Sequence, residues 1–242
     1  MGSKQLFTHV RNANLKYKLI DTGDNVAVGV SGGKDSLVLI NVLRLLLEHT
    51  PLRFNIVPIS IDLGWQADWK TITDYLSSLN LPHHIIETDI GHTIFEERQE
   101  SNPCALCANL RSGCLNKHAN KLGCNKVALA HHLDDAVTTL MMSMMFEGRF
   151  RCFKPTTYLD RSDVTIIRPL IYIEEKDIIR YTKAYNLPVI SNPCPVSGHT
   201  NRETVHAFID ELEKKYPHAR RRMMRALENA DINSFWHPEH LF

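Results

Sequence analysis

The stretch VAVGVSGGKDSLVLINVLRLL, residues 26–46, constrains the fold more than any other. A run of β-branched apolar residues stops at a Ser-Gly-Gly turn and gives way to a helical pattern of leucine and valine. A strand that ends in such a loop and opens a helix is the first half of a βαβ unit, whose next strand lies parallel. The alternation recurs along the chain. FNIVPISID (54–62), HHIIETD (83–89), KVALAHH (126–132) and VTIIRPLI (164–171) read as strands, followed by a short strand PVI at 188–190. Helices are expected over 4–20, 34–49, 68–80, 106–123, 133–148 and 173–186, and from Arg202 onward with breaks at Pro217 and near Asp231. The pattern defines an α/β fold: a doubly wound parallel sheet with helices on both faces and helical N- and C-terminal extensions. It divides the chain into a basic helical segment (1–24), the sheet domain (25–200) and a helical tail (201–242).

The chain has 242 residues, 43% of them hydrophobic, enough for one large α/β core. No apolar run reaches the roughly 18 residues of a membrane span. The N-terminus carries Lys4, Arg11, Lys16 and Lys18 but no signal-peptide core, so the expected location is the cytoplasm. Net charge is only +1, yet the basic residues are clustered: Arg111 to Lys126, Arg149 to Lys154, and Arg220 to Arg225. Basic clusters on a neutral protein suit a polyanion that touches one face.

Ligands of a doubly wound sheet sit at the carboxyl ends of its strands. Three segments fall there: Ser31 to Ser36, Asp62, and His131 to Asp135. In Ser31-Gly32-Gly33-Lys34-Asp35-Ser36 the free N–H groups and positive end of the following helix attract phosphate, and the glycines let it approach the backbone. The loop is not a Walker A motif, because the glycine spacing is one residue short and Asp35 follows the lysine. Ser31 and Ser36 supply hydroxyls and Lys34 a positive charge, while Asp35 caps the helix or helps hold Mg²⁺.

Six cysteines in a cytoplasmic chain suggest metal or redox duty more than a disulfide framework. Cys104 and Cys107 form C-x-x-C at a helix start, where thiols tend to ionise, and Cys194 follows the last expected strand. Three thiolates suit zinc with a fourth ligand or an iron–sulfur cluster with one open iron; spacing alone does not choose. Cys114 and Cys124 read as core residues, and so does the methionine run LMMSMMF.

The loop S-G-G-x-D-S resembles that of the PP-loop ATP pyrophosphatase family, which releases pyrophosphate from ATP while transferring AMP. With CALCANLRSG, LGCNKVALAHHLDDAVTTLMMSMMFEGR, IIRPLIYIEEKDI and ELEKKYP, the chain is similar from 31 to 217 to the tRNA thiolation enzymes of the TtcA and TtuA group, and more to the TtcA side, the tRNA 2-thiocytidine synthetases. The resemblance implies that 25–200 is a PP-loop domain that binds ATP and Mg²⁺ through Ser31–Ser36, His131, Asp134 and Asp135. It implies an oxygen-sensitive 4Fe-4S cluster on Cys104, Cys107 and Cys194 and places Arg168 at phosphate or tRNA; Asp62, from its strand end, is read as a catalytic residue in contact with nucleotide or metal. The implied reaction adenylates the C2 oxygen of a tRNA base and replaces it with sulfur, giving 2-thiocytidine at position 32 of the anticodon loop. The implied partners are tRNA, a sulfur donor (a cysteine desulfurase or free sulfide) and a second copy in a homodimer. The late stretch PCPVSGHTNRE departs from the TtcA pattern in having one cysteine where a second C-x-x-C is usual, and ISIDLGW is as close to the TtuA side. The alternatives are 2-thiouridine synthesis, a small-molecule PP-loop ligase with structural zinc, and a nucleotide-binding redox sensor.

Overall fold

The computed structural model describes residues 3–65, 67–97, 103–191 and 201–231. The chain forms two compact units, one from Met1–His132 with Phe153–His199, the other from Leu133–Cys152 with Thr200–Phe242. The expected boundaries at 24 and 200 follow the sequence linearly; the units do not, because 133–152 groups with the tail and the N-terminal helix with the sheet.

The first unit is the sheet domain. Its strands are β1 (Asn25–Gly29), β2 (Asn55–Asp62), β3 (His84–Glu87), β4 (Lys126–Ala128), β5 (Thr156–Leu159) and β6 (Val164–Ile167), in the order β3-β2-β1-β4-β6-β5. All neighbours pair in parallel except β5 with β6. The chain steps outward from β1 to β2 and β3, then crosses to the other side of β1 at β4, so a crevice opens beyond the carboxyl ends of β1 and β4. Strand β5 was not expected. TTYLDRSDVTII is a hairpin whose turn is fixed by the Ser162 N–H on the Leu159 carbonyl (3.1 Å) and the Tyr158 hydroxyl on Asp163 (2.8 Å). PVI, expected as a strand, is instead a loop: the Ile190 N–H donates to the Gly32 carbonyl at 3.0 Å.

Helix α2 (Lys34–His49) is apolar nearly all round because it is covered by the sheet, by α1 (Ser3–Tyr17) and by α7 (Glu175–Ala184). Leu37, Leu39, Ile40 and Leu43 are fully buried there. The other face of the sheet carries α5 (Pro103–Lys121), whose Leu115 and Ala119 close a core with Ile59, Ile61, Val127 and Val164. Between them in sequence lie α3 (Trp69–Ser78) and α4 (Ile90–His92), which runs on as a π-helical turn, Thr93–Glu97. No helix among the described residues is long and apolar enough to cross a membrane.

One partly buried network holds β1 to β2 just before the glycine loop. The Ser60 hydroxyl donates to the Val30 carbonyl (2.8 Å) and pairs with His83 Nε2 (2.8 Å), while His83 Nδ1 pairs with the Thr73 hydroxyl (2.8 Å). Burial, with help from neighbouring His84, pushes the His83 imidazole down to about 4. The folded protein therefore keeps His83 neutral between about pH 6.5 and pH 4, whereas the unfolded chain takes up a proton there. The full pKa gap corresponds to about 3 kcal/mol; discounted for the partial exposure of the ring, stability should fall by about 2 kcal/mol as pH drops through this window. Urea unfolding at a series of pH values checks this, and the slope should flatten in His83→Asn.

The second unit packs α6 (Leu133–Met142), continued by a π-helical turn (Ser143–Glu147), against α8 (Asn201–Lys215) and α9 (Ala219–Glu228). Val205, Ile209 and Met224 are buried, and so is Arg220. The Arg220 guanidinium meets Asp134 at 2.8 Å, Asp210, and Glu213 at 3.8 Å. The methionine run is not helical core throughout: Met144 and Met145 are exposed.

Candidate active site

The glycine loop is wound tightly on itself. The Ser36 hydroxyl donates to the Gly33 carbonyl (2.9 Å) and lies 3.4 Å from the Ser31 hydroxyl, and the Gly33 N–H reaches the Ser31 oxygen at 3.3 Å. Gly33 is the N-cap of α2, in extended conformation. The first turn of a 16-residue helix thus faces the crevice with its unbonded N–H groups. Gly32 has φ +77°, and a Cβ there would lie 2.4 Å from Ile190 Cγ1. Gly32→Ala therefore meets both left-handed strain of about 1–2 kcal/mol and a clash with the 187–191 loop. ATP affinity should drop by about tenfold or more, measured by titration calorimetry. Adding Ile190→Ala should recover only part of the loss, because the strain remains.

Lys34 lies between two carboxylates, 3.2 Å from Asp35 and 2.8 Å from Glu175. Burial alone would push its ammonium down, but the Glu175 hydrogen bond and the two negative charges outweigh burial and hold it above the ordinary lysine range. The Asp35 carboxylate is turned to Lys34 and approaches His132 Nε2 at 3.9 Å. It belongs to the first turn of α2 and is not its cap.

A cleft of about 200 Å³ opens beside the loop, lined by Gly29, Ser31, Ala108, Arg111, Ser112 and His131 among others. A smaller one on the other side of Arg111 is walled by Ser31, Asp62, Trp65, Trp69 and Ile190. His131 is fixed from behind: Arg168 Nε donates to its Nδ1 at 3.1 Å, and the ring stacks on Phe153 with centroids 5.0 Å apart. Arg168 in turn donates to the Lys154 carbonyl at 2.6 Å. Arg168, expected at phosphate or tRNA, is engaged here in orienting the histidine.

Asp62 lines the smaller cleft with both oxygens engaged. Oδ1 accepts from the Gly64 N–H (3.0 Å) and Oδ2 from the Trp69 indole (2.9 Å), which shapes the turn after β2. In the second unit Asp134 pairs with Arg220 and Asp135 with Arg202. These arginine partners, and the role of Asp134 and Asp135 in tying α8 and α9 to α6, were not expected from the sequence. Arg111 was expected only as part of a basic cluster. Its place in both clefts follows from helical spacing, since Cys104, Cys107 and Arg111 share a face of α5.

Cys104 is exposed and Cys107 half-buried against the core beneath α5. Cys194 lies outside the described residues. Two soft thiols one helical turn apart fit a metal cluster that needs a further ligand, and no group of three such side chains is gathered among the described residues. Burial pushes the Cys114 and Cys124 thiols up, and Cys114 rests against His118, so both are poor ligands.

The sheet order and the glycine loop define a class: the chain belongs to the PP-loop domain family, whose model matches residues 5–210. Within it the chain groups with the tRNA-cytidine(32) 2-sulfurtransferases. It is 39% identical to that of Geobacter sulfurreducens over 93% of this chain and 90% of the relative, and 38% identical to that of Pelobacter propionicus over 100% and 90%. Among solved structures it resembles the U34-tRNA thiolase NcsA from Methanococcus maripaludis with its 4Fe-4S cluster, with TM-score 0.77, 26% identity, and coverage of 94% of this chain and 79% of that one. The NH3-dependent NAD synthetase of Campylobacter jejuni shares the fold alone, at TM-score 0.52 and 15% identity over 100% of both chains.

Proposed function

We propose that the chain is an ATP-dependent tRNA sulfurtransferase of the cytoplasm that converts cytidine 32 of the anticodon loop to 2-thiocytidine. The observation that carries this reading is a shared wall: Ser31 of the phosphate loop and Ala108, Arg111 and Ser112 of the C-x-x-C helix line one cleft. Activation and sulfur delivery can then act on one atom. The names of the relatives support tRNA as substrate and C2 of cytidine 32 as target.

ATP binds with its β- and γ-phosphates at Ser31–Ser36 and Mg²⁺ beside Asp35. Lys34 exchanges its carboxylate partners for phosphate oxygens. Arg111 faces the α-phosphate from the opposite wall, and His131, with Nδ1 occupied by Arg168, directs Nε2 into the cleft. The C2 oxygen of the base attacks the α-phosphorus, the bond to the β-phosphate breaks, and pyrophosphate leaves. Hydrosulfide adds at C2, its proton goes to solvent, the C2–O bond breaks, and AMP departs. Oxygen is exchanged for sulfur with no net redox change. A 4Fe-4S cluster on Cys104, Cys107 and Cys194 would, when bound, supply a Lewis-acidic holder for the sulfur. Asp62 keeps Trp69 and the turn after β2 at the cleft wall and so positions the reacting nucleotide. Asp134 and Asp135 act by anchoring the C-terminal helices.

Nucleoside mass spectrometry tests the reading. Anaerobically reconstituted protein is incubated with ATP, Mg²⁺, sulfide and unmodified tRNA. ATP-dependent 2-thiocytidine is expected; 2-thiouridine would move the target to the base named for NcsA, and no thionucleoside would overturn the function. Cys104→Ser, Cys107→Ser and Cys194→Ser should each abolish product while ATP binding is retained. Full activity of Cys194→Ser would remove it from the ligand set.

A further inference from the structure

Residues 144–151, MMFEGRFR, form an exposed segment after α6, made of the rest of its π-helical turn and the loop beyond Glu147. Met144 is 46% exposed, Met145 53%, Phe146 54% and Phe150 44%, which places four large apolar side chains in the open within seven residues. Isolated exposed apolar residues are ordinary, but a contiguous group of this size marks an interaction surface. Arg149 and Arg151 are interleaved with the rings; both are exposed, and neither guanidinium makes an ion pair among the described residues. The one acid in the run, Glu147, is turned back to accept from the Ser143 hydroxyl at 3.1 Å.

The loop is held in shape, which lowers the entropy lost when a partner docks. The Arg149 N–H closes on the Ser143 carbonyl at 3.1 Å, Gly148 adopts the left-handed cap at φ +62°, and the Cys152 thiol rests on the Ala136 carbonyl at 3.4 Å.

We propose that this loop is a docking surface for unpaired nucleotides of the RNA substrate, with Phe146 and Phe150 stacking on bases and Arg149 and Arg151 holding adjacent phosphates. The proposal rests on the tRNA reading above and adds a second point of contact to it. Aromatic faces interleaved with cations are how single-stranded RNA is gripped. Charge separates this partner from a second copy of the chain. A two-fold contact centred on the loop would gather four arginines against only two carboxylates, Glu147 of each copy, whereas a polyanion neutralises every cation.

The test compares wild type, Phe146→Ala/Phe150→Ala and Arg149→Gln/Arg151→Gln by fluorescence anisotropy with labelled, unmodified tRNA at several salt concentrations. ATP titration, thermal melting and solution mass are recorded for each. Both double variants should bind tRNA about tenfold or more weakly, with melting, mass and ATP affinity unchanged. The arginine variant should also lose roughly 1.4 from the slope of log affinity against log salt, and the phenylalanine variant none. Unchanged tRNA affinity in both variants overturns the proposal, and a fall in solution mass would reassign the loop to self-association. A wild type that fails to bind tRNA at all would overturn the functional reading itself, a separate outcome.

Discussion

Arg220→Ala should lower the unfolding free energy by about 3–5 kcal/mol, because it removes the guanidinium that balances the buried carboxylate of Asp134. Asp134 is buried, and its contact with Arg220 Nε at 2.8 Å lies inside the second unit. The same guanidinium meets Asp210 and Glu213 on α8, and Glu213 also accepts from the backbone N–H groups of His218 and Arg220, at 2.8 and 2.9 Å. One side chain therefore joins α6, α8 and α9. Arg220→Met/Asp134→Leu, which replaces the Asp134 pair with apolar groups of similar volume, should recover much of the loss. Urea unfolding read by circular dichroism measures both. A loss below about 1 kcal/mol in the single variant would mean that water reaches Asp134 and that the network is peripheral.

Lys34→Ala should reduce turnover on the order of 100- to 1,000-fold, the usual effect of deleting a group that stabilises charge in a transition state. It should also weaken ATP binding, since Asp35 and Glu175 would then face the phosphates without the cation between them. Adding Glu175→Gln should restore part of the affinity but little of the turnover, separating repulsion in the ground state from stabilisation of the departing pyrophosphate. Single-turnover pyrophosphate release and ATP titration on the same variants distinguish the two. If the double variant regained full turnover, the ammonium would have no catalytic part beyond screening its neighbours.

The parts of the fold legible in the sequence were those written locally. The apolar run, the two glycines and the helical leucines of residues 26–46 lie within one βαβ half-unit, and the structure places β1, the loop and α2 there. C-x-x-C and Arg111 share a helical face by spacing alone. What escaped was pairing between distant segments. Nothing near Asp135 announces Arg202, 67 residues on, and carboxylates at a helix start read equally well as metal ligands. PVI at 188–190 was expected as a short strand, but the Ile190 backbone is drawn to Gly32. The β5–β6 hairpin was missed because no strand was assigned to Thr156–Leu159, although a polar four-residue turn between β-branched runs is itself a hairpin signal.

The helical unit is assembled from two separated lengths of chain, and this sets an order of events during synthesis. Residues 133–152 leave the ribosome before 201–231 exist. At about 5–20 residues per second the wait is on the order of 5–15 seconds. For that interval α6 lacks α8 and α9, Asp134 lacks its arginine, and the apolar face that those helices cover stays open. The sheet domain has no such gap between β1 and β2, whose pairing is complete once Asp62 has emerged. A nascent chain stalled between residues 152 and 201 should therefore be a client for hydrophobic-binding chaperones, and the same chain released after Glu228 should not.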